Sequence, residues 1–458
     1  MTKLSKEWKT TVNKPEHHMF AARNIGFTVM FSLTAVIGFT TLSLANGQVY
    51  TYTKIAARGE SAPGGAQYNF DFEPGQINDR GDAIYVADLS PDGAEGVFLL
   101  SDGKIFGLAL PGNSAPGGGT FDGFGFTPTG INDEGDAAFA EALTPFTLPL
   151  GINAGLYRYS ADKKTVSSVV VPGVTTVPLA GTLQGVHFGT SINNRGEICF
   201  TGLIHTDVQL PPGESIGKGI FVADKAGKIR KVVIPGDLAP FGKTFDFAEV
   251  AWINDRGDVG FGAHIQSEPF VQDNVYLSKA PSFQIISIAH QGDPAPGGGT
   301  FRHAWGPILN DDKQLLFVGD LTPPNLPKDQ TQGLFLYSYN GSTVPIVRPG
   351  DTLPDGRLLT VSDFVNGHHL NNRGEISFLA ALDTGDALYV TSSHKFRLVA
   401  KTGGTIPGVG TIQDFDIGLN RLGGGAVNDD RGQVLFYAEL VGGGAALIVA
   451  TPTGDDEE

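Results

Sequence analysis

Cysteine is all but missing from this chain. Cys199 is the only one in 458 residues, so no disulfide can form within the chain. It lies in an apolar, strand-like run (Glu197-Ile198-Cys199-Phe200), where a small buried hydrophobe is expected. Positive charge is also scarce. Lys and Arg number 32 against 48 Asp and Glu, for a net charge of −16. Residues 1–45 contribute +3, which leaves −19 on the remainder. A surface this acidic repels phosphate backbones and anionic lipid, so nucleic acid is excluded as a partner. No pair of histidines falls in a His-x-x-x-His spacing, and adjacent His368 and His369 on a strand point to opposite faces. The glycine runs Gly117-Gly118-Gly119 and Gly297-Gly298-Gly299 lack the lysine of a phosphate loop and read as plain turns. Neither a metal nor a cofactor is expected.

The one long apolar run is N-terminal. No charged residue occurs between Asn24 and Lys54, and residues 25–44 are mostly apolar, preceded by basic residues and followed by Ser43-Leu44-Ala45. Residues 1–45 therefore read as a signal peptide or an uncleaved signal anchor. Either way the rest of the chain is expected outside the cytoplasm: secreted, periplasmic or on the cell surface. Any membrane attachment is through that segment alone.

What is abundant is glycine, proline and phenylalanine, at 63, 28 and 30 residues, and they recur in register. Seven segments share an Asn-x-x-Gly turn followed by a strand pattern: residues 77–85, 131–139, 192–200, 253–261, 309–317, 370–378 and 427–436. Their asparagines are Asn78, Asn132, Asn193, Asn254, Asn310, Asn371 and Asn428, spaced 54 to 61 residues apart. A period of that size marks a repeat architecture. Two copies deviate: Lys313 replaces glycine in the fifth, and the seventh reads as carrying one extra residue, Asn428-Asp429-Asp430-Arg431-Gly432. Asn78 with Gly81, Asn132 with Gly135, Asn193 with Gly196, Asn254 with Gly257 and Asn371 with Gly374 are read as structural hairpin turns. In each, asparagine bonds the backbone two residues on and glycine takes the left-handed conformation. A single such turn aims too few oxygens at one point to bind calcium.

Each unit also holds a phenylalanine-rich strand before the asparagine (Phe70/Phe72, Phe124/Phe126, Phe245/Phe247), a short strand after the motif, and a fourth strand ending in a glycine turn. Four-stranded antiparallel units repeated radially are propeller blades. After its seventh motif the chain has one further strand, residues 445–451, while an unclaimed strand stands at the other end, residues 50–57. The expected fold is thus an all-β, seven-bladed β-propeller over residues 46–452, its last blade completed by the N-terminal strand, with an acidic tail at 453–458. The Asn-x-x-Gly-x-x-Ala-Phe pattern resembles bacterial secreted or surface proteins built from tandem repeats of that motif. The likeness covers residues 50–450, although the Ala-Phe pair itself matches only at Ala138-Phe139. It implies export and a propeller, and it carries no catalytic residues.

In a four-stranded meander the asparagine turns lie at one end. The loops between second and third strands lie at the other, together with the inter-blade links. Those loops are uneven, being long at residues 144–155, 205–219 and 322–333. Variable loops on a rigid scaffold are where binding usually sits. The expected function is therefore an extracytoplasmic binding module for an unidentified protein or glycan. The candidate contacts on its loop face are Phe146, Leu148, His205, Leu210, Asp237, Asp293 and Asp351. The alternative is a polysaccharide hydrolase or lyase with acid/base groups in the central channel, where the innermost strands carry Glu249, His303, Asp363 and His368. A self-associating surface-layer component is a third reading.

Overall fold

The computed structural model describes residues 40–42, 49–145, 154–210, 215–266, 274–322, 332–348, 350–353, 355–361, 367–393, 395–415 and 426–453. Residues 1–39, most of the segment read as a signal peptide, lie outside the described residues.

Seven antiparallel sheets form the blades. In the first, Gln67–Ile77 is innermost, followed by Ala83–Ser90, Ala94–Ser101 and, at the rim, Lys104–Ala109. The second strands are near-continuous apolar runs because both of their faces are covered. On Ala83–Ser90, Tyr85 and Ala87 pack toward the seventh blade with Tyr437 and Leu447, while Ile84 and Val86 pack toward the second with Phe139 and Tyr157. Hydrophobic clusters of this kind fill the junctions between neighbouring blades. The core is thus a ring of interfaces, each made by the large residues of one blade against the next.

The ring closes as the chain ends imply. Val49–Ala57 is the outer strand of the seventh blade and pairs antiparallel with Gly444–Thr453, from Val49 opposite Thr453 to Ala57 opposite Ala446. A further short strand, Thr40–Leu42, lies outside it, opposite Tyr50 to Tyr52. That strand falls inside the stretch 1–45.

One reading of the repeat is corrected. The seventh copy has no extra residue. Asp429, not Asn428, occupies the turn: its Oδ1 accepts the N–H groups of Arg431 and Gln433, as the Asn78 Oδ1 accepts those of Arg80 and Asp82. Phe436 then stands seven residues on, as Tyr85 does after Asn78. Asn428 ends the preceding strand and binds the Glu375 carbonyl. Aspartate offers the same acceptor as asparagine, so the turn forms without the amide.

Candidate functional site

At one end of the channel the inner strands deliver the seven turns to the propeller axis. The glycines picked out by sequence, Gly81, Gly135, Gly196, Gly257 and Gly374, take φ between 74° and 83°, as does Gly432 in the seventh turn. Lys313 holds φ 64° in the fifth. Each of these six glycines donates its N–H to the carbonyl of the residue three places back, which closes the turn at 2.9–3.1 Å. They are covered by side chains and form no part of the cavity described below. Arg431, Arg80, Arg195 and Gln314 of the preceding blades reach Gly81, Gly135, Gly257 and Gly374, and Lys225 reaches Gly196.

Each asparagine does two jobs. Its Oδ1 caps its own turn, and its Nδ2 donates to a backbone carbonyl of the following blade: Asn78 to Asn132, Asn132 to Asn193, Asn193 to Asn254, Asn254 to Asn310, Asn310 to Asn371, and Asn371 to Asp429, at 2.7–3.1 Å. The next residues form a second ring: Asp79, Asp133, Asn194, Asp255, Asp311, Asn372 and Asp430. Each backbone N–H meets the side-chain oxygen of its successor, and Asp430 returns to Asp79 at 2.9 Å. The turns surround a cavity of about 110 Å³, whose wall also includes Trp252 and His369.

Burial, with mutual repulsion among the carboxylates, raises Asp79 and Asp430 above the usual carboxylate range and Asp311 to about 6. His369, bonded through Nδ1 to Asn428, is pushed down to about 4 by burial. Among the described residues no three His, Cys, Asp or Glu side chains gather closely enough to hold a metal ion.

Beside the channel, polar groups collect on blades three to five. Glu249 Oε2 lies 3.1 Å from Lys218 Nζ and 3.9 Å from His187 Nδ1. His303 stacks on Trp305 and meets Asp320 at 2.8 Å, and Arg302 engages the same carboxylate. Asp246 and His264 form a buried pair at 2.7 Å. His368 bonds the Gly306 carbonyl, and Asp363 lies outside the described residues. Both Glu249 and Asp320 therefore face a fixed cation.

The opposite end carries the inter-blade links, and these share one construction. A buried apolar residue (Ala62, Ala115, Val177, Ala239, Ala295, Leu353 or Ile406) precedes a proline. In six of the seven links the residue after that proline sits where a type II turn demands positive φ. Gly64, Gly117, Gly297 and Gly408 supply it at 75–92°. In the links flanking blade three the position is instead Leu179, φ 68°, and Phe241, φ 72°. Their side chains are 85% and 69% exposed, next to exposed Val174 and Leu238. Phe241 lies 5.1 Å from the His290 ring of the following link.

Of the loop-face residues picked out by sequence, some lie on the links themselves, some in the loop after blade three's second strand, and some outside the described residues. His205 is exposed and Leu210 half-buried, in a loop whose Val208 packs over Gly236. Phe146 and Leu148 lie outside the described residues. Asp237, Asp293 and Asp351 hold the links themselves, each accepting the N–H three residues back. Leu179 and Phe241 were missed. Aligning the links with one another, Pro-Leu and Pro-Phe against Pro-Gly, is the signal that finds them.

Comparison with known proteins adds fold and family. The chain is similar to the oligogalacturonate lyase of Vibrio parahaemolyticus, at 11% identity and a TM-score of 0.52, covering 91% of this chain and 97% of that one. It is similar also to an acylaminoacyl peptidase of Pyrococcus horikoshii (13%, TM-score 0.48) and a puromycin-hydrolysing peptidase of Mycobacterium tuberculosis (14%, TM-score 0.49). The matches cover 83% and 84% of this chain but only 51% and 52% of those peptidases, so the chain spans about half their length. At 11% identity the likeness to the lyase is one of fold. No curated protein matches. A model described as a family of unknown function, DUF7453, matches residues 38–387 and again 277–447. These seven blades and their turn ring occupy the matched region, well over half of the chain, and the protein belongs to that family.

Proposed function

We propose that this propeller is a non-enzymatic, extracytoplasmic binding module whose partner is a protein docking on the loop face around blade three. The observation carrying the reading is the pair Leu179 and Phe241. A bulky residue in the left-handed region costs roughly 1–2 kcal/mol against glycine, and exposing a large apolar side chain to water recovers none of it. Folding therefore does not account for these residues, whereas a partner covering them would. With Val174 and Leu238 they place four of the ten exposed large hydrophobics among the described residues on two adjacent links. Exposed apolar side chains held on neighbouring tight turns suit the buried centre of a protein interface. Export is supported by the N-terminal segment and by the repeat resemblance to bacterial secreted and surface proteins.

The test is the double variant Leu179→Gly/Phe241→Gly, which restores the Pro-Gly turn and so keeps or raises stability. A partner isolated from the exported fraction on the wild type should bind the variant at least 30-fold more weakly, the loss of a hot spot worth about 2 kcal/mol. Equal binding by both proteins overturns the reading. The Lys218–Glu249–His187 cluster favours the second reading, a polysaccharide hydrolase or lyase. It stands only if turnover in a polysaccharide screen is seen and is lost in Glu249→Gln.

A further inference from the structure

Six of the seven junctions on the asparagine-turn face are tied by the same bond, the Nδ2 of one blade's asparagine to a carbonyl of the next. The seventh, where the last blade meets the first, is different. The residue there is Asp429, which has no amide to donate. Its side chain is fully buried, and its Oδ2 has no hydrogen-bond partner. The register of the ring is unbroken, since Asp430 N–H reaches Asp79 as every other rim residue reaches its successor. The Asn78 carbonyl therefore occupies the place of the accepting carbonyls at the other junctions, and it takes the Gly81 N–H of its own turn.

We propose that the Asp429 carboxyl is a proton-operated latch on the ring. Protonated, it donates its O–H to the Asn78 carbonyl and supplies the missing seventh tie. Ionised, it leaves a buried carboxylate against a carbonyl at the junction that the strand Val49–Ala57 also closes.

The surroundings bear on both states. From its own turn, Arg431 Nε stands 3.6 Å from Oδ2 and favours the anion, as do the Arg431 and Gln433 N–H groups on Oδ1. From the first blade Asp79 opposes it, and Asp430 adds a second carboxylate beside Asp79. From the sixth blade Asn371 donates to the Asp429 carbonyl, Glu375 is paired with Arg397, and neutral His369 is turned to Asn428. Burial outweighs the favourable contacts and lifts the group to about 7. The folded state thus holds a proton that the unfolded chain releases near pH 4. The sign follows: stability from the latch is complete below about pH 4, drains as pH rises toward 7, and is absent above it.

The experiment is thermal unfolding of the full chain and of Asp429→Asn between pH 5 and 8, with hydrogen exchange of the seam at both ends of the range. Asparagine makes the seventh tie at any pH. The variant should already melt somewhat above the wild type at pH 5, and its lead should widen by roughly 2 °C or more at pH 8. Peptides spanning Val49–Ala57 should exchange several-fold more slowly in the variant at pH 8. An equal offset at both pH values, or unchanged exchange at pH 8, overturns the latch. Should the variant not fold, wild-type exchange in Val49–Ala57, corrected for its intrinsic pH dependence, decides. Opening that increases from pH 5 to 8 supports the latch, and opening that does not change overturns it.

Discussion

Lys313 shows how a repeated turn tolerates a departure. It holds φ 64° where the six other turns place glycine at 74–83°. A side chain there costs roughly 1–2 kcal/mol, whereas glycine loses only about 0.4–1 kcal/mol more chain entropy on folding. Strain is the larger effect, so Lys313→Gly is expected to stabilise the protein by about 0.5–1 kcal/mol, read as a rise in denaturation midpoint at constant slope. A fall in midpoint would show the lysine to be compensated elsewhere. Losing the capping oxygen of an asparagine, which Asp429 keeps at the seventh turn, leaves no such latitude. Asn132 makes three bonds, two capping its turn and one to the next blade. At about 1 kcal/mol each, Asn132→Ala should cost roughly 3 kcal/mol in a denaturant titration.

At the scale of an element, blade two is the odd one out. Nine residues past the turn asparagine the other blades carry Ala87, Gly202, Ala263, Gly319, Ala380 and, counted from Asp429, Ala438. Blade two carries Glu141, 1% exposed. The reason lies in its inner strand, Thr120–Ile131, whose register slips between Phe121 and Gly125. The slip frees three successive N–H groups. Glu141 Oε1 accepts those of Gly123 and Phe124, and Glu95 takes that of Gly125. Two carboxylates thus stand in for a missing stretch of ladder. Burial, and then the charge of Glu95, pushes Glu141 well above the carboxylate range, against the two N–H bonds. Burial thus favours the protonated form in the fold, so its share of stability is present at low pH and lost as pH rises through the folded value. Glu141→Gln keeps the acceptor and removes the charge. Its melting temperature should match the wild type at pH 5 and exceed it at pH 8; a lower value at both would mean that the anion is the stabilising form.

At the scale of the whole molecule, closure rests on one strand. Removing Val49–Ala57 strips the outer partner from Gly444–Thr453 and uncovers part of the cluster shared by the seventh and first blades. An unpaired apolar edge recruits another chain. A chain starting at residue 58 is therefore expected to associate or aggregate, as light scattering behind size exclusion would show, and a monomer with an unaltered melting temperature would refute the closure argument.

How far all this was legible follows from range. The blade count, the Asn-x-x-Gly turn and the split last blade were readable because turn chemistry and strand alternation act over a few residues and repeat. The seventh copy was misread by one residue because a search for asparagine passes over Asp429, which does the same work with a different atom. A single turn aims too few oxygens at a point, and only sevenfold closure set Asp79, Asp133, Asn194, Asp255, Asp311, Asn372 and Asp430 in contact around one axis. The loop face was legible as irregular, yet the patch of Leu179 and Phe241 depends on where two links 62 residues apart come to lie. By itself the sequence determined the blade and its repetition, because both are local. The tertiary structure decided which residues meet, because in a ring each junction joins segments some 60 residues apart and the last joins the two ends of the chain.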